Sequence, residues 1–573
     1  MVKRLSILLV LAIMVASCIL PSCTKDNFDM DRLGGEVKYD GSFAVPLVYS
    51  DVSFAQILGI LDTTVALQEN DEGYLSMFYH SYVESKKVQD LLNFGEVSYS
   101  KNISIGDFTS KGTRDMSLQY STEENISFTL RNENTDNDEA EIDSLVLNSA
   151  TLTYRLSSTF GLSSKFVVEF PSVRKNGVPF RDSITIGGSN QNEFRTVSLA
   201  GYTIDMTTTS RHFNEIPIKI LVDLYYNGAP PTGGSFSVDV RFGDFNYKGM
   251  YGYFGYNELL IKSDTINITM FKQNPKYDWE HASFYFKKPR LTVTYWNSYG
   301  VPSEFFFTEL DAYMQRNDVT WDMNSIIKPN FPLSEDNPFV MNHSLRPGFE
   351  AEGVVSVDSS NSYLDQIIPN RPTWFHFNAK AVTNYPGSAH TRNFIDENSR
   401  VRSKIEVEIP LYGHLYNFTY RDTADIDINS YVGNLPISRM AVNLNIKNNM
   451  PVAAKAQFYF VDENYNVLDS LIKTPDLMVL EAAEVDAYGN LMTSEPVNTP
   501  TRIEMTNSQI SNLKNSRHLL IKITSNTAGD SQGGENVKLF RDYGFKLNIG
   551  LDVDLDVEGN VNSVETNKTV KNK

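Results

Sequence analysis

A stretch near the C-terminus alternates strictly between apolar and polar side chains. Its apolar members are Tyr543, Phe545, Leu547, Ile549, Leu551, Val553, Leu555 and Val557. Because successive side chains of a strand point to opposite faces, this period of two predicts a long amphipathic strand with one buried face. Shorter alternating runs occur at residues 74–78 and 125–130. The sequence therefore predicts an all-β chain: tandem antiparallel β-sandwich-like domains with a few short helices.

Two of the alternating runs contain a proline. Pro217 interrupts the run from Ile216 to Leu224, and Pro410 interrupts the run from Ile405 to Leu411. Because proline cannot donate a hydrogen bond to a neighbouring strand, both runs are predicted to be edge strands or to place the proline at a strand end.

Short helices are predicted at residues 54–61, at residues 86–94 and after Thr506. The last prediction is the most specific, because Thr506-x-x-Gln509 is a capping box followed by apolar positions at helical spacing. A buried strand is expected directly after it, over residues 518–524.

A strand–turn–strand phrase recurs three times. Residues 150–168 and 290–307 align without a gap at an offset of 139, matching Leu152 with Leu291 and Gly161 with Gly300, and residues 440–460 form a looser third copy. Each copy is predicted to be one hairpin of an antiparallel sheet. The phrase Asn297-Ser298-Tyr299-Gly300-Val301-Pro302 also resembles the strand–turn of late-embryogenesis-abundant β-sandwiches. Hairpins converge easily, so common ancestry of the three copies stays open.

Residues 1–23 have the organisation of an export signal. Lys3 and Arg4 precede an apolar core that is too short to span a bilayer. Cys18 and Cys23 follow, each after small residues, and no further cysteine occurs in the chain. Cys23 is the preferred acceptor of an acyl chain because polar residues follow it, whereas Ile19 follows Cys18. An ordinary secretory signal with incidental cysteines is the alternative.

The junction Ser22-Cys23-Thr24-Lys25-Asp26 resembles the lipoprotein signals of Bacteroidota-type bacteria. The segment Gly41-Ser42-Phe43-Ala44-Val45-Pro46-Leu47 likewise resembles the opening of uncharacterised surface lipoproteins from that group. The resemblance implies a palmitate-bearing anchor at Cys23, or less favourably at Cys18, in the outer membrane, with the protein exposed at the cell surface. It implies no activity and no site residues.

Composition narrows the possible partners. With 573 residues and a formal net charge of −19, the chain has no basic patch that could neutralise phosphates, so nucleic acid is not an expected partner. A membrane partner is expected through the N-terminal lipid alone, since no later segment approaches 18 consecutive apolar residues.

Domain boundaries follow charged loops and the repeat. The predicted divisions are a signal peptide (1–23), a tether (24–40), an N-terminal β-rich domain (41–139), two β-sandwich-like units (140–275 and 276–432), a C-terminal β unit (433–560) and a disordered tail (561–573). The second sandwich unit carries an insertion at 311–360, predicted to be a surface loop specialised for recognition.

Motifs for catalysis are missing from the sequence. No G-x-S-x-G, Walker loop, G-x-G-x-x-G or histidine pair at zinc spacing occurs. No cofactor is expected, and no catalytic residue can be named. Asp136, Asp138 and Glu139 are a weak calcium candidate, whereas Asp552, Asp554 and Asp556 fit the solvated face of a strand.

Two further features concern saccharides. Trp279, Trp296, Trp321 and Trp374 are possible platforms for sugar rings, although aromatic residues in β proteins are more often core. Asp followed by Ser or Thr and a small or aliphatic residue resembles the O-glycosylation motif of Bacteroidota-type exported proteins, and the implied acceptors are Thr63, Ser144, Ser183, Thr265, Thr423 and Ser470. The alternative is that these dipeptides mark turns into strands.

The leading hypothesis is a non-enzymatic outer-membrane lipoprotein that presents β-domains to a glycan or protein partner. One alternative is a pilus or assembly subunit, in which Arg32 would be the processing site and residues 543–557 the exchanged strand. The other alternative is a hydrolase acting on glycans.

Overall fold

The computed structural model describes residues 37–54, 56, 66–111, 116–132, 135–188, 191–259, 261, 263–278, 280–386, 389–426, 436–473, 477–528 and 534–559. Cys18, Cys23, Arg32, Thr63 and Trp279 lie outside these residues. So do most of the predicted tether, the tail and all but two positions of the helix predicted at 54–61.

The described chain is predominantly β, with 62% strand and 6% helix, and its sheets are antiparallel with few short helices. The predicted fold class is therefore confirmed. No helix in the described part of the chain has the length and apolar character needed to cross a membrane.

Thirty-eight strands are formed within the described residues. The first nine are β1 (Val37–Ser53), β2 (Ala66–Glu69), β3 (Leu75–Glu84), β4 (Leu92–Phe94), β5 (Val97–Ser104), β6 (Thr109–Ser110), β7 (Ser117–Ser127), β8 (Leu130–Asn132) and β9 (Thr135–Asp136). The next nine are β10 (Glu141–Ser158), β11 (Ser163–Lys175), β12 (Val178–Ile186), β13 (Gln191–Ser198), β14 (Thr203–Asp205), β15 (Glu215–Tyr225), β16 (Ser235–Tyr253), β17 (Asn257–Glu258) and β18 (Asp264–Asn267).

The following eleven are β19 (Tyr277–Asp278), β20 (Ser283–Phe286), β21 (Arg290–Asn297), β22 (Ser303–Arg316), β23 (Val319–Ser325), β24 (Phe339–Met341), β25 (Ala351–Val357), β26 (Trp374–Thr383), β27 (Asn393–Asp396), β28 (Val401–Pro410) and β29 (Tyr412–Tyr416). The last nine are β30 (Phe418–Asp425), β31 (Ile437–Asn448), β32 (Val452–Val461), β33 (Val467–Ser470), β34 (Met478–Leu480), β35 (Val497–Met505), β36 (His518–Thr527), β37 (Val537–Lys538) and β38 (Gly544–Gly559).

The helices are short. Three α-helices have bounds within the described residues, α1 (Val88–Leu91), α2 (Leu364–Ile367) and α3 (Asn507–Asn515), and 3-10 turns occur there at Ile105–Asp107, Thr269–Phe271 and Ile368–Asn370. The capping box predicted at Thr506 and Gln509 is present. The helix predicted at 86–94 is a single turn that runs into β4, and the strand expected to be buried over 518–524 is only half-buried.

One four-strand arrangement occurs three times. In unit 1 (β10, β11, β15 and β16) the first strand pairs with the fourth and the second with the third. Unit 2 (β21, β22, β26 and β28) and unit 3 (β31, β32, β36 and β38) repeat the same antiparallel pairings. The recurrence of the pairing order, in addition to the sequence phrase, supports a common origin of the three units.

The N-terminal strands complete these units in reverse order along the chain. The fourth strand of unit 3, β38, pairs with β1; that of unit 2, β28, pairs with β3; and that of unit 1, β16, pairs with β5. Each fourth strand is therefore paired on both sides. Because β38 lies between β1 and β31, it is not a free edge that another copy could occupy.

The two strands of the recurring phrase do not pair with each other, so the hairpin prediction was wrong. The phrase is an arch that joins two sheets in units 2 and 3, whereas in unit 1 it joins two strands of one eleven-stranded sheet that are linked through β14. The strands β10 and β11 share no hydrogen-bonded register, and each pairs with other strands. Their apolar faces meet across the core instead, with the Tyr154 and Phe166 ring centroids 6.2 Å apart. A hairpin would place both rings on one face of one sheet, whereas the buried volume here lies between two faces.

A polar side chain at the same position turns the chain in each arch. Ser158, Asn297 and Asn448 are fully buried, and each accepts a hydrogen bond from the backbone N–H two residues later. The residue that donates this N–H is apolar or aromatic and buried in all three units: Phe160, Tyr299 and Met450. Such a local side-chain bond stabilises a turn and directs the chain towards the opposite sheet.

Both prolines lie where pairing on one side has ended, as predicted. The hydrogen-bonded pairing of β15 with β11 ends at Lys219. Pro217 lies beyond that point and is paired with β7 alone. Pairing of β28 with β21 stops at Glu408, and Pro410 is the last residue of its strand.

The prediction that residues 311–360 form a surface loop was wrong. They contain β23, β24 and β25, and β25 pairs with β21 along its length. Ile326, Phe331, Leu333, Met341 and Val357 are buried. Much of the segment is core because these apolar residues belong to the same buried cluster as those of unit 2.

The predicted domain boundaries remain predictions, but strands cross them. The N-terminal residues supply partners to all three units, and one apolar cluster is continuous from Leu75 to Leu411. Separate, smaller clusters occupy unit 3.

Candidate functional site

A groove of about 510 Å³ opens where the β22–β23 hairpin approaches β19 and β30. We call it the Trp321 groove. The lining residues that matter for its chemistry are Tyr277, Asp278, His281, Arg316, Trp321 and Arg421. Trp321 and Arg316 come from the hairpin, Tyr277 and Asp278 from β19, and Arg421 from β30.

The hairpin is held by a two-residue turn. Asn317 and Asp318 have φ angles of 48° and 61°, which fits the left-handed conformations of a type I′ turn. The side chain of Gln273 clamps this turn: its Nε2 donates to Asn317 Oδ1 at 2.5 Å, and its Oε1 accepts from Asn317 N at 2.6 Å. The turn therefore fixes Arg316 and Trp321 relative to the neighbouring loop.

Asp278 is the anionic centre of one wall. Its Oδ1 accepts from His281 Nδ1 at 3.0 Å, and its Oδ2 accepts from Arg421 Nη2 at 2.8 Å. Burial raises the pKa of this carboxyl, but the hydrogen bonds from His281 and Arg421 outweigh that effect and bring it to about 2. The negative charge of Asp278 is thus offset by the hydrogen bonds from His281 and Arg421.

Arg316, which also lines the groove together with Glu280, has a different environment. Burial lowers the pKa of Arg316, and only the exposed Glu280 acts against that effect. Burial, together with the charge of Arg316, also lowers the pKa of Arg371 to about 10. Arg371 Nη1 donates to the Ala282 carbonyl at 2.8 Å. Two guanidinium groups therefore share one region of low solvent access.

The Arg316 guanidinium has unused donors. Its Nε and Nη2 are buried and have no hydrogen-bond partner among the described residues. A buried donor without an acceptor is unfavourable, which makes this side chain a candidate for ligand binding rather than for stabilising the fold.

The tryptophans have different environments. Trp321 is 43% exposed and lines the groove. Trp374 stacks on Tyr313 at a centroid distance of 5.7 Å, and the Arg402 guanidinium lies over Trp296. Of the three described tryptophans, Trp321 is therefore the one that is exposed and lines a cavity.

We expect Asp278→Asn to lower the melting temperature at pH 7 and to have little effect at about pH 2.5. The folded-state pKa of about 2 lies below the ordinary 3.8, so the stabilisation is present above pH 3.8 and is lost as the pH falls towards 2. The expected cost at pH 7 is about 1 kcal/mol, because the pair is partly screened. Differential scanning fluorimetry at both pH values measures it, and Asp336→Asn, at an exposed position, is the control. An equal loss at both pH values would contradict the assignment.

A second groove of about 530 Å³ lies on the outer face of unit 1. It contains Phe194, which is 63% exposed, and Arg241, which pairs with Glu96 at 3.3 Å. Asp239 accepts from Ser100 Oγ at 2.7 Å. Because its charges are largely matched by neighbours and it has no tryptophan, we regard it as the weaker candidate.

The geometry gives the predicted calcium site no support. Asp136 Oδ1 accepts from Arg131 Nε at 2.8 Å. Asp138 and Glu139 are exposed. Among the residues that the structure describes, no three His, Cys, Asp or Glu side chains form a group that could hold a metal ion.

The five predicted glycosylation acceptors that the structure describes lie in strands. Ser183 and Thr423 are exposed, and Ser144, Thr265 and Ser470 are half-buried. The preceding aspartate often folds onto the acceptor's own N–H, as Asp182 does with Ser183 at 2.8 Å and Asp422 with Thr423 at 2.9 Å. These hydrogen bonds give a structural reason for an aspartate to precede the serine or threonine. Glycosylation of these residues stays a prediction.

The sequence predicted Trp321 as a candidate binding residue. It did not identify Arg316, Arg371 or the carboxylate of Asp278 with its partners His281 and Arg421. The Asn317-Asp318 turn next to Arg316 was readable as a hairpin signal. Nothing local in the sequence, however, places β19 and β30 against that hairpin.

Comparisons with known proteins add little. No family model matches the chain, and neither does any curated protein. The chain resembles a Parabacteroides distasonis structure described as that of a "putative secreted protein", with 13% identity over 90% of this chain and 99% of that one, and a TM-score of 0.26. The PBCV-1 virus capsid (9% identity, 56% and 95% coverage, TM-score 0.09) and infectious bursal virus-derived particles (10%, 88% and 83%, TM-score 0.10) are also similar. All three scores are low, and nothing that follows rests on them.

Proposed function

We propose that the chain is an exported, non-enzymatic binding protein, anchored by a lipid at Cys23 to the outer membrane and exposed at the cell surface, that holds a saccharide in the Trp321 groove. The observation that carries the binding site is the exposed side chain of Trp321 in the lining of a cavity of about 510 Å³, which also contains the charged residues Asp278, Arg316 and Arg421. A cavity of this size, with an aromatic face and a few fixed polar groups, is typical of small-ligand sites.

The proposed anchor is consistent with the position of β1. Val37 is paired with Gly559, so unit 3 follows the tether directly. Residues 24–36 could span at most about 45 Å when fully extended. Unit 3 would then lie near the membrane, and units 1 and 2 would follow it. The mass of the mature N-terminal peptide distinguishes acylation at Cys23 from acylation at Cys18.

We expect Trp321→Ala to weaken saccharide capture. Stacking on an aromatic side chain contributes on the order of 0.5–2 kcal/mol, which corresponds to a loss of roughly 2- to 30-fold in affinity. The test is an oligosaccharide array probed with the purified mature protein and with the variant. Trp374→Ala is the control, because that ring is stacked on Tyr313 away from the groove wall.

Equal array signals from wild type and Trp321→Ala would place the site elsewhere. Loss of signal in Trp374→Ala alone would have the same meaning.

A further inference from the structure

One wall of the Trp321 groove is a single face of the β22–β23 hairpin. Met314 is paired with Trp321 across the two strands, and Arg316 is paired with Val319. Paired residues of an antiparallel ladder share a face, and so do residues two apart on one strand. Trp321 therefore lies directly beside Met314, and together they offer an apolar surface to a ligand in the groove.

A second aromatic ring lines the groove from β19. The centroid of the Tyr277 ring lies 5.9 Å from that of Phe418 and 5.7 Å from that of Tyr420. Aromatic pairs at these distances are favourable, so the two neighbours hold Tyr277 in position. The apolar C–H faces of a sugar ring can pack on such rings without any charge on the ligand.

The charges of the lining are matched by neighbours. Asp278 accepts hydrogen bonds from His281 and Arg421. The charge of Glu280 raises the pKa of Arg316 against the effect of burial. Two carboxylates are thus offset by two guanidinium groups, and an ionic ligand would find no free counterion among the lining residues that the structure describes.

The more accessible polar groups of the Asp278 wall are hydrogen-bond donors. The side chains of His281 and Arg421 are 65% and 43% exposed, whereas that of Asp278 is 15% exposed. A guanidinium group has five N–H donors and an imidazole has two nitrogens, so both side chains keep groups beyond those bonded to Asp278. Sugar hydroxyl groups can accept these hydrogen bonds and bring no charge into the groove.

We propose that the Trp321 groove selects neutral saccharides, with one sugar ring on Trp321 and ring hydroxyl groups accepting hydrogen bonds from Arg421 and His281. This assignment rests on the proposed function and adds the ligand class to it. A carboxylate on the sugar would meet Asp278 and Glu280, and an ammonium group would meet a carboxylate that is already bonded. Either ionic ligand would lose hydration without gaining a counterion.

The test is calorimetric titration of the full mature chain with sugars matched in length and linkage. The neutral probes are oligosaccharides of glucose, galactose and mannose, each compared with a counterpart that carries a carboxylate at C6 and with one that carries an ammonium group at C6. The variants Asp278→Asn and Arg421→Gln unbalance the wall in opposite directions. Asp336→Asn and Arg181→Gln are the controls, because they make the same charge changes at exposed positions.

At least one neutral probe is expected to bind roughly 10-fold more tightly than either charged counterpart. Its affinity should change by less than about twofold between about 0.05 and 0.5 M NaCl, because no ion pair forms.

The wall variants are expected to change the preference in opposite directions. Asp278→Asn leaves Arg421 without its carboxylate, so it should shift the preference roughly 10-fold towards the acidic counterpart. Arg421→Gln should shift it by a similar factor towards the ammonium counterpart. A gain in affinity for one charged probe cannot result from unfolding, and both controls should match wild type.

Binding of a charged probe as tightly as its neutral counterpart would overturn the neutral-sugar assignment. If that binding is weakened in Trp321→Ala, the proposed saccharide site still stands. An unchanged preference in both wall variants would likewise overturn the assignment. No binding of any probe would overturn the assignment and the saccharide site together.

Discussion

Replacing Asn448 by alanine is expected to destabilise unit 3 by about 4 kcal/mol. This side chain is fully buried in the third arch. Its Nδ2 donates to the Glu481 carbonyl at 2.7 Å and to the Met450 carbonyl at 3.0 Å, and its Oδ1 accepts from Met450 N at 2.9 Å. Alanine would leave several buried backbone groups without partners, at about 1–3 kcal/mol each.

Urea unfolding, combined with hydrogen exchange of the peptides from β31 and β32, measures this loss. Asn445→Ala is the matched control, because Asn445 is exposed on the same strand, and it should change the unfolding free energy by less than about 0.5 kcal/mol. Asn297→Ala should destabilise unit 2 in the same manner. If both arch variants behaved like the control, the shared role of this position would be refuted.

Deleting Val37–Ser53 is expected to have a still larger effect. This strand pairs with β38 from Val37↔Gly559 to Ser53↔Gly544. At about 0.5–1.5 kcal/mol net for each backbone hydrogen bond, the loss is on the order of 5 kcal/mol or more, comparable to the whole stability of a small domain. Unit 3 should lose its protection from hydrogen exchange, while units 1 and 2 keep theirs.

The deletion also converts β38 into an edge strand. An exposed edge can pair with another chain, so we expect the shortened protein to self-associate in sedimentation experiments. Deletion of residues 561–573 is the control and should leave the protein unchanged. A monomeric protein with an intact unit 3 after loss of Val37–Ser53 would contradict the role of β1.

This role of β1 also bears on the alternative of a pilus subunit. That hypothesis requires a terminal strand that can be exchanged, and β38 was the candidate. In the structure β38 is paired with β1 on one side and with β31 on the other. This pairing gives the pilus-subunit hypothesis no support. It indicates instead that the N-terminal strand β1 stabilises unit 3.

Local features of the fold were predictable because their physical causes are local. The alternation from Tyr543 onward specifies one buried face, so β38 forms as expected. Pro217 and Pro410 lie at ends of pairing because proline lacks the donor. The capping box at Thr506 starts a helix because it satisfies the first free N–H groups.

Features set by distant parts of the chain were not predictable in this way. A hairpin and an arch have the same strand–turn–strand pattern, and only the partners β15 and β16 distinguish them. The pairing of β1 with β38 joins the two ends of the described chain, and no pattern within either strand specifies the other. For the same reason the sequence gives no indication that Arg316 meets β19 and β30.

The central claim is that the Trp321 groove binds a saccharide and leaves it intact. The most direct measurement incubates the mature protein with an array-positive oligosaccharide, follows binding by calorimetry and records the mass of the oligosaccharide afterwards. The account predicts saturable binding that is weakened in Trp321→Ala, with the mass unchanged. A shortened oligosaccharide produced over many turnovers, or binding of unchanged affinity in Trp321→Ala, would contradict it.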